Sequence, residues 1–451
     1  MIDKLKKLKT NMPDLQIKEI NHGIKTIYVI NLQSVSASAL SNDYILKYLS
    51  FFDDKKIKNI PSISNIEIKE NEMLEYLFNG FTLVIYKNKI YAYETRATLD
   101  RGVNEPTSEP TIKGPKDSFN ENYNTNIGLI RKRVKDKNLF LKEITLGNRT
   151  KTKICLFYLD DIVDKELLNY TISKISNIKT DKILDTYYIK DLISKKNKST
   201  FPTIKSTEKP DTVAKCLTEG KICIMSENSN NVLIIPTFFI DYFHNEEDNH
   251  QKHLFVEFTK IVRVLALFIT IFTPAIYLSL ITYDQQMLPT NLLINFATQR
   301  SSVPFPALVE ALVLMLTFEI LYEADALTPS SRGTSLSILG ALVLGDAAVN
   351  AGIVSPIMVI VVAITAISSI FFIYYDFQSY IRIHRYLLMI LASFFGIIGI
   401  LFGFLFIITN LCNIKSFGKP FMINIAPIIK KPKNKLIKKA LLTQNTNKGE
   451  L

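Results

Sequence analysis

Carboxylates set inside apolar sequence are the residues of this chain with the most chemistry to offer. Glu310 and Glu319 fall within the apolar stretch 307–322, and Asp346 within 335–349. An ionised carboxylate at the centre of a membrane helix costs roughly 2.5–3.5 kcal/mol, so such groups face a bundle interior or water. Facing a lumen, they would select cations. At 100° per residue Glu310 and Glu319 lie on opposite helix faces, whereas Glu319 with Glu323, and Asp346 with Asn350, each share one. If the helices enclose a lumen, Asp346, Asn350 and Glu319 are the residues expected to line it. Glu310 follows Pro304 and Pro306 in a first helical turn, where the helix dipole favours negative charge, and reads as a capping carboxylate.

Chemistry of other kinds has little to stand on. The chain carries no GxSxG, P-loop, HExxH or glycine-rich dinucleotide turn, so no catalytic residue, no cofactor and no enzymatic activity are expected. His244, His250 and His253 neighbour Glu246, Glu247 and Asp248, but at no metal-ligand spacing; a solvated juxtamembrane loop is the expectation, with no metal. Cys155, Cys216, Cys223 and Cys412 form neither a CxxC motif nor a disulfide framework, which suits a reducing compartment.

The elements that must position these acids follow from composition. Of the 451 residues, 47% are hydrophobic and none is Trp, and the formal charge is +12. That charge divides into +6 over 1–254, −2 over 255–411 and +8 over 412–451. Such a partition excludes a single soluble globule. A membrane helix needs about 20 apolar residues, which 261–282, 357–375 and 386–411 supply; 307–322 and 335–349 are shorter. Lys252, Lys260 and Arg263 before the first span, and Lys430, Lys431, Lys433, Lys435, Lys438 and Lys439 after the last, place both ends on the cytoplasmic side. That requires an even number of crossings, so four spans are favoured, with one short segment re-entrant or interfacial. No signal peptide opens the chain. The basic tail suits anionic lipid headgroups better than nucleic acid. Gly340, Gly345 and Gly352, and Gly396, Gly399 and Gly403 along the last helix, read as packing stripes for helix association.

The front reads as mixed α/β in two subdomains. Residues 81–86 and 89–93 across Lys87-Asn88 predict a hairpin, and 154–158, 221–225 and 232–235 further strands. Residues 164–178 and 211–219 have helical spacing with Asp164 and Asp211 as N-caps. The Pro-, Glu- and Gly-rich 100–116 reads as an irregular connection. The expected division is 1–115 and 116–254 for the two soluble subdomains, 255–427 for an all-α multipass domain of four to five membrane helices, and 428–451 for the tail.

One segment narrows the identity. Arg101…Glu105-Pro106…Glu109…Gly114-Pro115…Phe119…Asn126…Leu129-Ile130-Arg131-Lys132-Arg133 resembles the hallmark of the A-subunit family of spore germinant receptors. Gly147 to Thr152, Phe201-Pro202, Thr207-Glu208-Lys209-Pro210-Asp211, Leu288-Pro289-Thr290, Val303 to Ala311, Gly345 to Val349 and Ser416-Phe417-Gly418-Lys419-Pro420 are similar to the same family, in order, from about Arg101 to Pro427. The resemblance implies a multipass protein of the spore inner membrane that works with a permease-like B subunit and a lipoprotein C subunit. It also implies a homo-oligomeric ring of five that acts as a nutrient-gated cation channel, with the nutrient pocket in the B subunit. Arg101, Glu105, Glu109, Arg131 and Arg133 are then candidates for ion pairs between subdomains or subunits. A non-conducting scaffold that clusters the other subunits is the competing expectation.

Overall fold

The computed structural model describes residues 2–22, 25–37, 45–46, 65–87, 89–96, 106, 109, 114–194, 201–244, 248, 251–327, 345–372, 374–423 and 425. Two compact units divide the chain: residues 1–199, 203–238 and 415 onward form one, and 200–202 with 239–414 the other. The main part of the helical unit runs from Phe239 to Ile414.

In the first unit, helix α1 (Ile2–Lys9), strands β1 (Leu15–His22), β2 (Lys25–Leu32) and β3 (Asn65–Ile68), helix α2 (Met73–Phe78), and strands β4 (Phe81–Tyr86) and β5 (Lys89–Glu94) make the front subdomain. Its antiparallel sheet has the order β1-β2-β4-β5-β3. The predicted hairpin is β4–β5, with Tyr86 opposite Lys89 and Lys87 in the left-handed region. Alternate residues of β4 point to opposite faces: Leu83 and Ile85 join Leu77 and Phe78 of α2, while Val84 packs with Ile27 and Tyr93 on the other side.

A second five-stranded antiparallel sheet follows, with α3 (Tyr123–Arg133), β6 (Leu139–Leu146), β7 (Thr152–Leu159), α4 (Lys165–Ser176), α5 (Thr186–Ser194), β8 (Lys205–Thr207), α6 (Pro210–Thr218), β9 (Ile222–Ser226) and β10 (Val232–Ile235). Its order is β6-β7-β9-β10-β8. Ile154, Leu156, Ile222 and Ile224 face α4 and α5; Cys155, Phe157, Cys223 and Met225 face α3 and α6. Helices on both faces explain why these strands are apolar throughout rather than alternating. Asp164 caps α4 by accepting from the Glu166 and Leu167 amides. Asp211 does not cap α6; Lys209 holds that position and Pro210, whose missing N–H costs nothing there, starts the helix.

The helical unit contains α7 (His253–Thr282), α8 (Thr290–Arg300), α9 (Ala307–Leu327), α10 (Pro356–Ser369) and α11 (Tyr375–Asn413). Residues 415–420 then return to the first unit as a two-stranded hairpin, β11 (Lys415–Ser416) and β12 (Lys419–Pro420). Among the described residues, α7 is long and apolar enough to cross a membrane, and so is the run of α11 when taken without its turn at Gly396. The expected span 357–375 is realised as a helix of 14 residues, short of the crossing length.

The expected single span 386–411 is corrected by the geometry of α11. Gly396 has φ 61° and ψ −145° inside it. A Cβ on Gly399 would lie 2.2 Å from the Leu391 carbonyl oxygen, and one on Gly403 2.4 Å from Leu388 Cδ2. A continuous helix rising 1.5 Å per residue would hold those pairs roughly 12 and 22 Å apart. The chain therefore reverses at Gly396, and 375–395 and 397–413 are antiparallel arms of a helical hairpin. Gly399 and Gly403 pack arm against arm within one chain. Only glycine meets this turn without penalty, and no hydrophobic periodicity announces it.

Candidate functional site

Three polar nodes hold the helical unit together, each centred on a carboxylate. One end of the bundle is marked by Tyr242, whose ring stacks 4.7 Å from Phe377 at the start of α11. There Glu319 of α9 binds Arg382 Nη1 at 3.0 Å and Arg385 Nη2 at 2.5 Å, both on α11. Tyr322, one residue before Glu323, donates to Gln378 at 2.7 Å, and the Arg382 guanidinium lies 4.5 Å from the Tyr322 ring. Glu323 accepts from the Tyr375 hydroxyl at 3.4 Å. Four residues separate Glu319 from Glu323, so both face α11.

At the far end Glu310 is buried, and its Oε1 accepts from the amide and hydroxyl of Ser355, at 2.6 and 2.5 Å. Ser355 is the N-cap of α10. Glu310 is thus a cap, but of α10 rather than of its own helix. Arg300 Nε lies 3.8 Å from Glu310 Oε2, which neutralises the carboxylate inside the bundle. The third node is Asp284, just beyond α7: its Oδ2 accepts from the Ser279 hydroxyl and, at 2.9 Å, from the Ile397 amide. Reversal at Gly396 frees that amide from helical pairing, and a buried orphan donor costs about 1–3 kcal/mol if left unmet.

Asp346 and Asn350 lie apart from these nodes, both exposed on the short helical stretch 345–350. No ion pair to Asp346 forms among the described residues. A Cβ on Gly345 would lie 3.8 Å from Val359 Cγ1, an ordinary contact, and Gly352 turns the chain with φ 68°, where a Cβ would lie 3.4 Å from the Ser302 carbonyl oxygen. Gly340 lies outside the described residues.

Of the charged residues singled out in the front, Arg101 and Glu105 also lie outside them. Arg131 and Asp14 form a buried bidentate pair: Arg131 Nε and Nη2 each donate to an Asp14 carboxylate oxygen at 2.7 Å, and Ser34 adds a third bond at 2.7 Å. This joins α3 of the second subdomain to the turn before β1 of the first. Arg133 instead binds Asp117 within its own subdomain, at 2.5 Å. Glu109 accepts from the Thr207 hydroxyl at 2.6 Å. Burial raises its carboxyl above the usual value, against the opposing pull of Lys205, Thr207 and Lys209.

Sequence reasoning passed over Arg382 and Arg385; the signal that would find them is two basic residues at i and i+3 just ahead of an uncharged stretch, a spacing that suits one shared acidic partner. Asp284 and Asp14 carried no comparable signal, because each meets a partner more than a hundred residues away.

Comparison with known proteins adds to this geometry. Residues 3–449 match the profile of the family described as Bacillus/Clostridium GerA spore germination protein. The chain is 39% identical over 333 residues to "Spore germination protein KA" of Bacillus subtilis (strain 168), covering 74% of this chain and 61% of that protein. It is 40% identical over 327 residues to "Uncharacterized membrane protein YfkQ" of the same organism, covering 72% and 64%. Similarity to "Spore germination protein XA" of Bacillus anthracis reaches 32% over 402 residues, covering 88% and 81%. The matched region spans less than two thirds of YfkQ and of KA. Among solved structures, the N-terminal domain of the A subunit of the Bacillus megaterium spore germinant receptor GerK3 aligns at 24% identity and a TM-score of 0.40, covering 53% of this chain and 94% of that one.

Proposed function

The chain belongs to the Bacillus/Clostridium GerA spore germination protein family, and from that premise we propose that it is the A subunit of a nutrient germinant receptor, acting as a cation-conducting oligomer. Its partners in this reading are further copies of itself in a ring of five, a permease-like B subunit and a lipoprotein C subunit. It sits in the spore inner membrane with the first unit and basic tail on the cytoplasmic side. It performs no bond chemistry: nutrient binding in a partner biases the ring between closed and open packings, which requires that the ligand bind the open one better.

The observation that carries this reading is the contrast among the acids. Asp284, Glu310 and Glu319 have partners inside the chain, whereas Asp346 is exposed with Asn350 beside it. A desolvated, unneutralised carboxylate is costly in a membrane; water in a shared lumen removes that cost. The test is nutrient-triggered cation release from spores carrying Asp346→Ala, with protein abundance followed in parallel. Failed release or altered ion preference at normal abundance supports a conducting role.

A second reading, a non-conducting scaffold that clusters the other subunits, is favoured by Glu319. Two arginines pair with that carboxylate, which supports a role in holding helices together over one in conduction. Unchanged release in Asp346→Ala spores would select the scaffold.

A further inference from the structure

Six buried side-chain polar atoms find no hydrogen-bond partner among the described residues, and three of them meet at one place in the helical unit: Tyr277 Oη, Arg300 Nε and Glu310 Oε2. The other three, on Arg131, Thr171 and Arg385, sit on separate helices, α3, α4 and α11. The converging atoms come from α7, α8 and α9. Arg300 Nε and Glu310 Oε2 are 3.8 Å apart, and the Tyr277 hydroxyl interacts electrostatically with both residues and with Ser355. Tyr277 is 6% exposed and Glu310 1%. The second Glu310 oxygen is already engaged, since Oε1 accepts from the Ser355 amide and hydroxyl.

A buried donor or acceptor has given up its hydration, and native folds seldom leave one unmet. The Arg300 N–H does not reach the carboxylate directly, because N–H···O bonds extend only to about 3.2 Å. A separation beyond about 3.5 Å between polar groups is instead the span of a bridging molecule. The three atoms restrict what that molecule is. Arg300 Nε only donates, the Glu310 carboxylate only accepts, and the Tyr277 hydroxyl does either. The occupant must therefore accept at least one hydrogen bond and donate at least one. A cation is repelled by Arg300 and has no lone pair for its N–H; an anion is repelled by Glu310 and has no proton to offer it. Water meets every demand, and three partners is the typical number for a buried water.

We propose that Tyr277, Arg300 and Glu310 form a binding site for one resident water. The water joins α7, α8 and α9 and, through Glu310 and Ser355, reaches the N-terminus of α10. It carries the Arg300–Glu310 attraction that direct contact does not. The site lies wholly within the helical unit and serves a channel and a scaffold alike.

Infrared difference spectroscopy on the purified full chain in detergent micelles reads the water itself. The spectrum of the unaltered protein minus that of Tyr277→Phe is recorded in ordinary water and again in water carrying heavy oxygen. Only bands of water shift with the oxygen isotope; those of protein O–H and N–H groups stay. An isotope-sensitive O–H stretching band should be present in the unaltered protein and lost or displaced in Tyr277→Phe. Its absence from the difference overturns the proposal. Arg300→Lys, whose ammonium can meet Glu310 directly, should lose the same band, and a band that changes in Tyr277→Phe yet persists unchanged in Arg300→Lys refutes the three-residue site. Should neither variant accumulate, a map of the unaltered full chain fine enough to show ordered water decides the matter. One peak within about 3.2 Å of all three atoms supports the site, and a direct Arg300–Glu310 bond with no such peak refutes it.

Discussion

Paired spin labels at Ile383 and Ile408 separate a helical hairpin from a continuous last helix by a margin no side-chain motion can blur. Both positions are exposed, at 59% and 36%. In one continuous α-helix they would lie roughly 37 Å apart, at 1.5 Å per residue. With the reversal at Gly396 they fall side by side on packed arms whose axes lie about 8–10 Å apart. Cys412 is exposed and must become Ser before labelling, whereas Cys155, Cys216 and Cys223 are buried and can stay. Double electron–electron resonance in nanodiscs should give one distance below about 25 Å, allowing for two label arms on neighbouring helices. Gly396→Ala tests the cause of the turn. Its Cβ would lie 2.7 Å from Asp284 Oδ2 at a φ of 61°, and the left-handed backbone alone costs about 1–2 kcal/mol. That variant should broaden the distance distribution and lower the melting temperature. A single distance near 37 Å in the unaltered chain would refute the hairpin and the roles given to Gly399, Gly403 and Asp284.

Two further outcomes follow from the first unit. Asp14→Asn leaves the Arg131 guanidinium buried without its counter-charge, an alteration worth about 3–5 kcal/mol and a melting shift on the order of 10 °C. Arg133→Ala, which breaks a pair exposed at 19% and 27%, should cost about 1 kcal/mol or less, and equal shifts in the two variants would refute the ranking. The second outcome concerns acid. Burial alone would push the Asp164 carboxyl up, but the Lys419 ammonium and the Leu167 and Glu166 amides outweigh it and hold it below the usual 3.8. Its contribution is therefore fully present above that value and is lost as pH falls through the depressed folded one. Lys419→Met should shrink the loss of melting temperature on acidification below about pH 4, and parallel pH profiles in the two proteins would sink the assignment.

Local pattern carried most of the first unit. The hairpin β4–β5 was legible because two apolar runs flank a two-residue connection, and β9 and β10 because apolar runs rich in Ile and Val are bounded by Gly220, Ser226 and Asn231. Asp164 was readable as a cap since its partners lie two and three residues on. Asp211 misled because an Asp in a first helical turn looks the same whether it caps or follows the cap. Failures in the helical unit share one cause, which is that they depend on what lies across the bundle. Gly396 is one more glycine in an apolar run until its φ is known. Glu310 sits where a helix N-terminus would welcome it, yet the N-terminus it serves belongs to α10, 45 residues further on. Glu319 was read as open to a lumen because sequence shows which face a residue takes, not that Arg382 and Arg385 occupy the space opposite.

The pairing of these acids has a consequence for what the remaining ones can do. Glu310 with Arg300 is neutral, and Glu319 and Glu323 together match the charge of Arg382 and Arg385. Neither Glu310 nor Glu319 offers a cation a free carboxylate, and opening either pair would strand buried charge at several kcal/mol. They are suited to holding α9, α10 and α11 in register, which is a structural duty compatible with a channel or a scaffold alike. Asp284 is likewise engaged with the hairpin turn. Discrimination between the two readings therefore falls on Asp346. Asp346 is exposed with Asn350 as its neighbour on the same face, and no ion pair to it forms among the described residues. Under the channel reading its cost in an apolar surround would be met by shared water between subunits, and under the scaffold reading by a basic group on a partner. The first arrangement attracts cations and makes ion release sensitive to Asp346→Asn, which keeps the shape and removes the charge. The second makes assembly with the partner the sensitive quantity and leaves ion preference untouched.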